Sequence, residues 1–250
     1  MRRFVVAIAF VAVSCGSSGN ATPTRALATV TRTTASPTRV AAASPSPSAA
    51  AASLRYVAIG ASDTVGVGSA DPRTGAWPAR VAARLPAGTD YVNLGVSGSL
   101  SAQAAREQLP RALQLRPELV TVWLAVNDMN ANLTPADYTA ALRSVVAPLI
   151  EQTDARLFIG NVPDLRAVPA YAGADQAALG ARVTAYNLAI AAVAQPFGKR
   201  AVVVDLFTGS AALTSSLTVA ADGFHPSDAG YALIAERFAN AIAASGIALR

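Results

Sequence analysis

Cysteine and histidine each occur once in this chain of 250 residues, at Cys15 and His225. A single cysteine rules out an intramolecular disulfide. Together the two fall short of the three or four Cys/His ligands of a usual zinc site, so only carboxylates remain to build a metal site. Neither a metal nor an organic cofactor is expected. Any chemistry that needs an imidazole has one residue to draw on. Acidic residues are missing from the first 53 positions, which hold Arg2, Arg3, Arg25, Arg32 and Arg39. Without those five arginines, the twenty basic residues fall to fifteen, matched by fifteen acidic ones. The net charge of +5 therefore belongs to the N-terminal stretch and the remainder is neutral. A nucleic-acid binder carries its basic face on the folded domain, so no nucleic-acid partner is expected.

Apolar residues nonetheless make up 52% of the chain, enough for a substantial core. Met1-Arg2-Arg3 is a positive head, followed by the ten apolar residues Phe4–Val13. About 20 are needed to cross a bilayer, so the run reads as a signal-peptide core. It ends in Ala12-Val13-Ser14-Cys15-Gly16. This resembles a bacterial lipoprotein signal, in which the cysteine is lipidated and becomes the new N-terminus, with Ala12 where a leucine is usual. An ordinary secretory signal is the alternative. Residues 16–53 are Ala, Ser, Thr and Pro with few large apolar side chains, and Ser44-Pro45-Ser46-Pro47-Ser48 is an extended spacer. The expected organisation is a leader over 1–15, a disordered linker over 16–53 and one domain over 54–250. The domain is expected to be monomeric and exported to the cell envelope, held at the outer face of the membrane by a lipid on Cys15 or else secreted.

From Leu54 the pattern alternates. Strands are predicted over Leu54–Ile59, Tyr91–Leu94, Leu119–Val126, Leu157–Gly160 and Ala201–Leu206. Helices are predicted over Trp77–Leu85, Ser101–Leu115, Thr134 to about Gln152, Gln176–Ala194, and Pro226 to about Ala244. Thr134 and Pro135 suit an N-cap and first turn. This order predicts an α/β fold, a three-layer α/β/α sandwich around a parallel sheet of about five strands. In such sheets ligands sit beyond the carboxyl ends of the strands. Ser62 follows the first strand, Gly95 the second and Asn127 the third, and His225 lies beyond the last.

Four segments then stand out: Gly60-Ala61-Ser62-Asp63-Thr64-Val65-Gly66, Asn93-Leu94-Gly95-Val96-Ser97-Gly98, Ala125-Val126-Asn127-Asp128 and Asp222-Gly223-Phe224-His225-Pro226. In content and order they resemble the sequence blocks of SGNH hydrolases, also called GDSL esterases and lipases, over roughly residues 54–250. The resemblance implies an SGNH, flavodoxin-like sheet and an esterase. It implies Ser62 as nucleophile with Asp222 and His225 completing a triad. It also implies an oxyanion hole from Ser62, Gly95 and Asn127. Two positions depart from the pattern: Ala61 replaces an aspartate and Ala125 a glycine.

The residues suit those roles on chemical grounds. Serine is a poor nucleophile without an adjacent base, and Asp222 is close enough along the chain to orient His225. Ser97, in Gly95-Val96-Ser97-Gly98-Ser99, is a rival nucleophile one glycine short of a nucleophile elbow. The side chain of Asp63 is expected to point away from that of Ser62. Gly66-Val67-Gly68 is no dinucleotide fingerprint, because residue 71 is Asp. Trp77 and Trp123 read as core. The expected substrate is a small-molecule or glycan ester. Two other functions share the same residues: a tethered, non-catalytic binder of glycan or cell wall, and an acyltransferase.

Overall fold

The computed structural model describes residues 53–250. The leader, Cys15 and the linker up to residue 52 lie outside the described residues. Five strands form one parallel sheet: β1 (Arg55–Gly60), β2 (Asp90–Asn93), β3 (Leu119–Trp123), β4 (Arg156–Gly160) and β5 (Ala201–Val204). Their spatial order is β2-β1-β3-β4-β5. The chain moves outward from β1 to β2, then returns to the other side of β1 with β3. This order places its switch point beside β1 and β3, where doubly wound sheets bind ligands.

The helices in chain order are α1 (Ser62–Val65), α2 (Pro72–Gly75), α3 (Trp77–Ala82), α4 (Ser101–Glu107), α5 (Leu109–Leu115), α6 (Val126–Asn130), α7 (Pro135–Gln152), α8 (Gln176–Ala194), α9 (Ser210–Leu213) and α10 (Asp228–Ala244). Alternation along the strands divides the core in two. Val57, Ile59, Val120, Val122, Leu157 and Ile159 face α4, α5, α7 and α8. Tyr56, Ala58, Trp123 and Phe158 face α3 and α10. On that second face Trp77 is fully buried, stacked on Phe238 at 4.2 Å and edge-on to Trp123 at 6.1 Å.

Caps set the longer helices where the sequence places them. Thr134 accepts from the Asp137 N–H, Asp175 from those of Ala177 and Ala178, and Ser227 from that of Gly230. Two predictions are corrected. The single helix over 101–115 is two, broken at Gln108, and Pro110 sits in the first turn of the second, where its missing N–H costs nothing. The third strand stops at Trp123, three residues early, because the chain turns sharply into α6.

That turn is made at Ala125, which is buried and holds φ 150°, ψ −44°. Residues with a Cβ rarely take this conformation, and the strain is of order 1–3 kcal/mol. Ala125→Gly removes it and returns about 0.4–1 kcal/mol of unfolded-chain entropy. A net gain of about 1 kcal/mol is expected in urea denaturation.

Candidate active site

The carboxyl end of the sheet gathers three of the four segments. β1 delivers Gly60, and the chain turns at once into α1, with Ser62 at its first position and buried. Gly60 is hemmed in: a Cβ there would lie 2.0 Å from Thr64 Oγ1 and 2.8 Å from the Trp123 carbonyl oxygen. Its N–H donates to Gln108 Oε1, and Gln108 Nε2 donates back to its carbonyl, both at 3.0 Å. The same carbonyl accepts the Val96 N–H, so the segment after β2 is fastened to the end of β1.

The fourth segment arrives from the long connection between β5 and α10. It is tied to itself and to α10. Ala220 N–H donates to the His225 carbonyl, Ser227 N–H to Thr218, and the Tyr231 hydroxyl to Val67 in the loop after α1. In that same loop Ser69 donates to Asp228 at 2.5 Å. Asp222 Oδ1 accepts the N–H groups of Phe224 and His225, and its Oδ2 lies 2.6 Å from His225 Nδ1. Burial alone pushes the Asp222 carboxyl up. The bonds from the His225 ring and from the two main-chain N–H groups outweigh it and hold the carboxyl at about 2. An ionised Asp222 can only accept, so Nδ1 carries the proton and Nε2 presents its lone pair. His225 Nε2 lies 2.9 Å from Ser62 Oγ. Ser97 is exposed on the turn after β2, and the imidazole bonds Ser62 instead.

Asn127, near the start of α6, donates one Nδ2 hydrogen to the Ser99 carbonyl at 3.1 Å, which leaves the other free. Its neighbour Asp128 is fully buried and accepts from the N–H and hydroxyl of Ser101. Burial raises the Asp128 carboxyl, and the Ser101 bonds oppose the rise. Gly95 differs from expectation: its N–H donates to Asn93 Oδ1 at 2.9 Å. It can serve an oxyanion only by sharing or releasing that bond. The Ser62 N–H has no acceptor among the described residues.

One positioning residue escapes the sequence reading. Gln108 is buried, and besides gripping Gly60 it donates to Ser99 Oγ at 3.1 Å. It therefore links the nucleophile's turn to the residue whose carbonyl holds Asn127. Its only trace in the sequence is an amide just before Pro110, at a break read there as continuous helix.

Behind these groups lies a mostly apolar cleft. Asp63, Val126, Phe224 and Pro226 on its wall are the chain neighbours of Ser62, Asn127 and His225. Asp63 thus turns away from Ser62 Oγ, the two being successive residues of α1. Trp123 also lines this cleft, whereas Trp77 is core. Among the described residues no cluster of three or more His, Cys, Asp and Glu side chains is placed to hold a metal ion.

With this geometry in place, known proteins can be compared. The chain is similar in fold to TesA, with 23% identity, TM-score 0.60, and coverage of 77% of this chain and 99% of that one. It is similar to LAE5, an α/β hydrolase from the metagenome of Lake Arreo, with 23% identity, TM-score 0.60, and coverage of 78% and 95%. It is likewise similar to Axe2, an acetylxylan esterase from Geobacillus stearothermophilus, with 21% identity, TM-score 0.61, and coverage of 76% and 94%. No curated protein matches the chain. Residues 58–233 match the family model described as GDSL-like Lipase/Acylhydrolase, a span that runs from β1 into α10 and contains all five expected site residues. The chain therefore belongs to the GDSL-like lipase/acylhydrolase family and is a carboxylic ester hydrolase.

Proposed function

We propose that the protein cleaves carboxylic esters through an acyl-enzyme on Ser62, outside the membrane to which a lipid on Cys15 tethers it. The observation that carries this reading is the unbroken run from Asp222 through His225 to Ser62, at 2.6 and 2.9 Å. Ser62 Oγ attacks the ester carbonyl while its proton passes to His225 Nε2. The imidazolium is stabilised by Asp222. The tetrahedral oxyanion meets the Ser62 N–H, the free Asn127 amide hydrogen and the Gly95 N–H, which lets go of Asn93 Oδ1. Each such donor is worth on the order of 10²–10³ in rate. Collapse breaks the C–O bond, and His225 returns the proton to the leaving alcohol. Water then repeats the cycle on the acyl-enzyme, freeing the acid and restoring Ser62.

Turnover of a short p-nitrophenyl ester tests this reading. Ser62→Ala is expected to cost about 10⁴–10⁶ in kcat, while Ser97→Ala retains most activity. The reverse pattern overturns the assignment.

Gln108→Leu takes the acceptor from the Gly60 N–H in a buried place and leaves the Gly60 carbonyl with the Val96 N–H alone. A loss of about 1–3 kcal/mol in stability is expected. Displacement of Ser62 and Asn127 lowers kcat by about 10–100-fold, with KM little changed. A variant that loses stability but keeps kcat shows that Gln108 only supports the fold.

The location is tested separately. The wild type should partition with membranes, since a lipoprotein carries more than the single acyl chain that gives only marginal binding. Cys15→Ser should release the enzyme or leave its leader uncleaved, with turnover of a soluble ester unchanged. Wild type found free in the medium, cleaved elsewhere than before Cys15, shows plain secretion.

A further inference from the structure

The cleft behind the catalytic groups is walled by apolar side chains such as Val126, Leu165, Val168, Phe224 and Ile234, and Asp63 is its only acid. The other hydrogen-bonding side chains on its wall are spent on the protein itself. Ser210, Thr214 and Thr218 donate to the carbonyls of Phe207, Ser210 and Leu213. The Arg237 guanidinium donates to the carbonyls of Asp205 and Thr208 and makes no ion pair with Asp63. Among the described residues, no other residue donates a hydrogen bond to the Asp63 carboxylate.

Burial raises that carboxyl to about 6; the His225 ring opposes the rise and the Asp222 charge adds to it. Asp63 also senses, or is sensed by, Tyr171 in the turn packed on Phe224, and Tyr231 on α10. At neutral pH the half-buried carboxylate thus stands against apolar lining with no protein donor, and a ligand that fills the cleft takes away the water that solvates it. Burying a charge without a partner is costly. Groups perturbed in this way concentrate where ligands are handled.

We propose that this cleft takes the acyl part of the ester, that the acyl part is apolar but carries a hydroxyl or ammonium group, and that Asp63 selects it by accepting that donor. The proposal rests on the ester-hydrolase reading above. It places the recognised group within electrostatic reach of the catalytic pair, since Asp63 feels the His225 ring and the Asp222 charge. A plain alkyl chain would leave the carboxylate buried and unpaired. A carboxylated chain would add repulsion from both Asp63 and Asp222. Sites built around a hydrogen bond reject analogues that lack it far more strongly than apolar pockets reject a missing methylene.

The test is kcat/KM at pH 7.5 for wild type, Asp63→Asn and Asp63→Leu. The substrates are p-nitrophenyl esters of plain, ω-hydroxy, ω-amino and ω-carboxy acids of three and six carbons. Wild type should favour a hydroxy or amino ester over the plain ester of equal length by about tenfold or more, with the carboxy ester slowest. Asp63→Asn should keep the hydroxy preference and lose the amino preference, and Asp63→Leu should favour the plain ester. Both variants should also melt higher than wild type at pH 7.5. The sign follows from the raised carboxyl: the folded state binds the proton more tightly, so Asp63 costs stability as pH rises from about 3.8 through 6. The gain should therefore shrink at pH 4. A ranking that is the same in all three proteins, or a wild type that favours the plain ester, overturns the inference while leaving the hydrolase reading in place. A wild type inert toward every ester overturns both.

Discussion

The site hangs on the main chain of Gly60. It ends β1, and three segments distant in sequence meet there because its Cβ is missing. Trp123 and Thr64 press into the space a side chain would fill. The amide of Gln108 pairs with its N–H and C=O as a neighbouring strand would, and Val96 adds a second bond to the same carbonyl. From that point the restraint passes outward through Ser99 to Asn127. Ser62 and Asn127 are thus set by one framework. In the proposed mechanism that framework is the preorganisation on which electrostatic stabilisation of a transition state depends.

The Asp222–His225 pair is held on a different principle. Asp222 and His225 sit three residues apart, and the first organises the second through a side-chain bond and two main-chain bonds. Their loop is closed on itself and on α10 and meets the rest of the site through the loop after α1. One part of the site is thus built on the sheet and the other on the last helix, and the hydrogen bond from Ser62 to His225 joins them alongside the contacts of the loop after α1.

Long, strongly patterned elements were legible in the sequence. Apolar runs marked the buried strands, and caps such as Thr134 and Asp175 marked helix starts. The identities of Ser62, Asn127, Asp222 and His225 were legible through their places after strands and their resemblance to a family. What escaped depends on contacts between segments far apart in the chain. Helices α1 and α6, four and five residues long, have no side-chain cap and no period of their own. The break at Gln108 looks like continuous helix until Gly60 is brought against it. The engagement of the Gly95 N–H by Asn93 is a matter of side-chain direction, which spacing does not encode. The departure at Ala125 was visible as a residue, but its cost became so only with its φ.

The separation of 163 positions between Ser62 and His225 has a temporal meaning. A chain made from its N-terminus carries Ser62 through four further strands before His225 exists. His225 must then wait for the start of α10, since the Ser227 N–H closes its loop on Thr218 and Tyr231 fastens α10 to Val67. Until that last segment is made, Ser62 has no imidazole beside it. On the acyl-enzyme mechanism proposed above, the growing polypeptide is therefore chemically silent toward esters, and activity arrives all at once with the final two dozen residues.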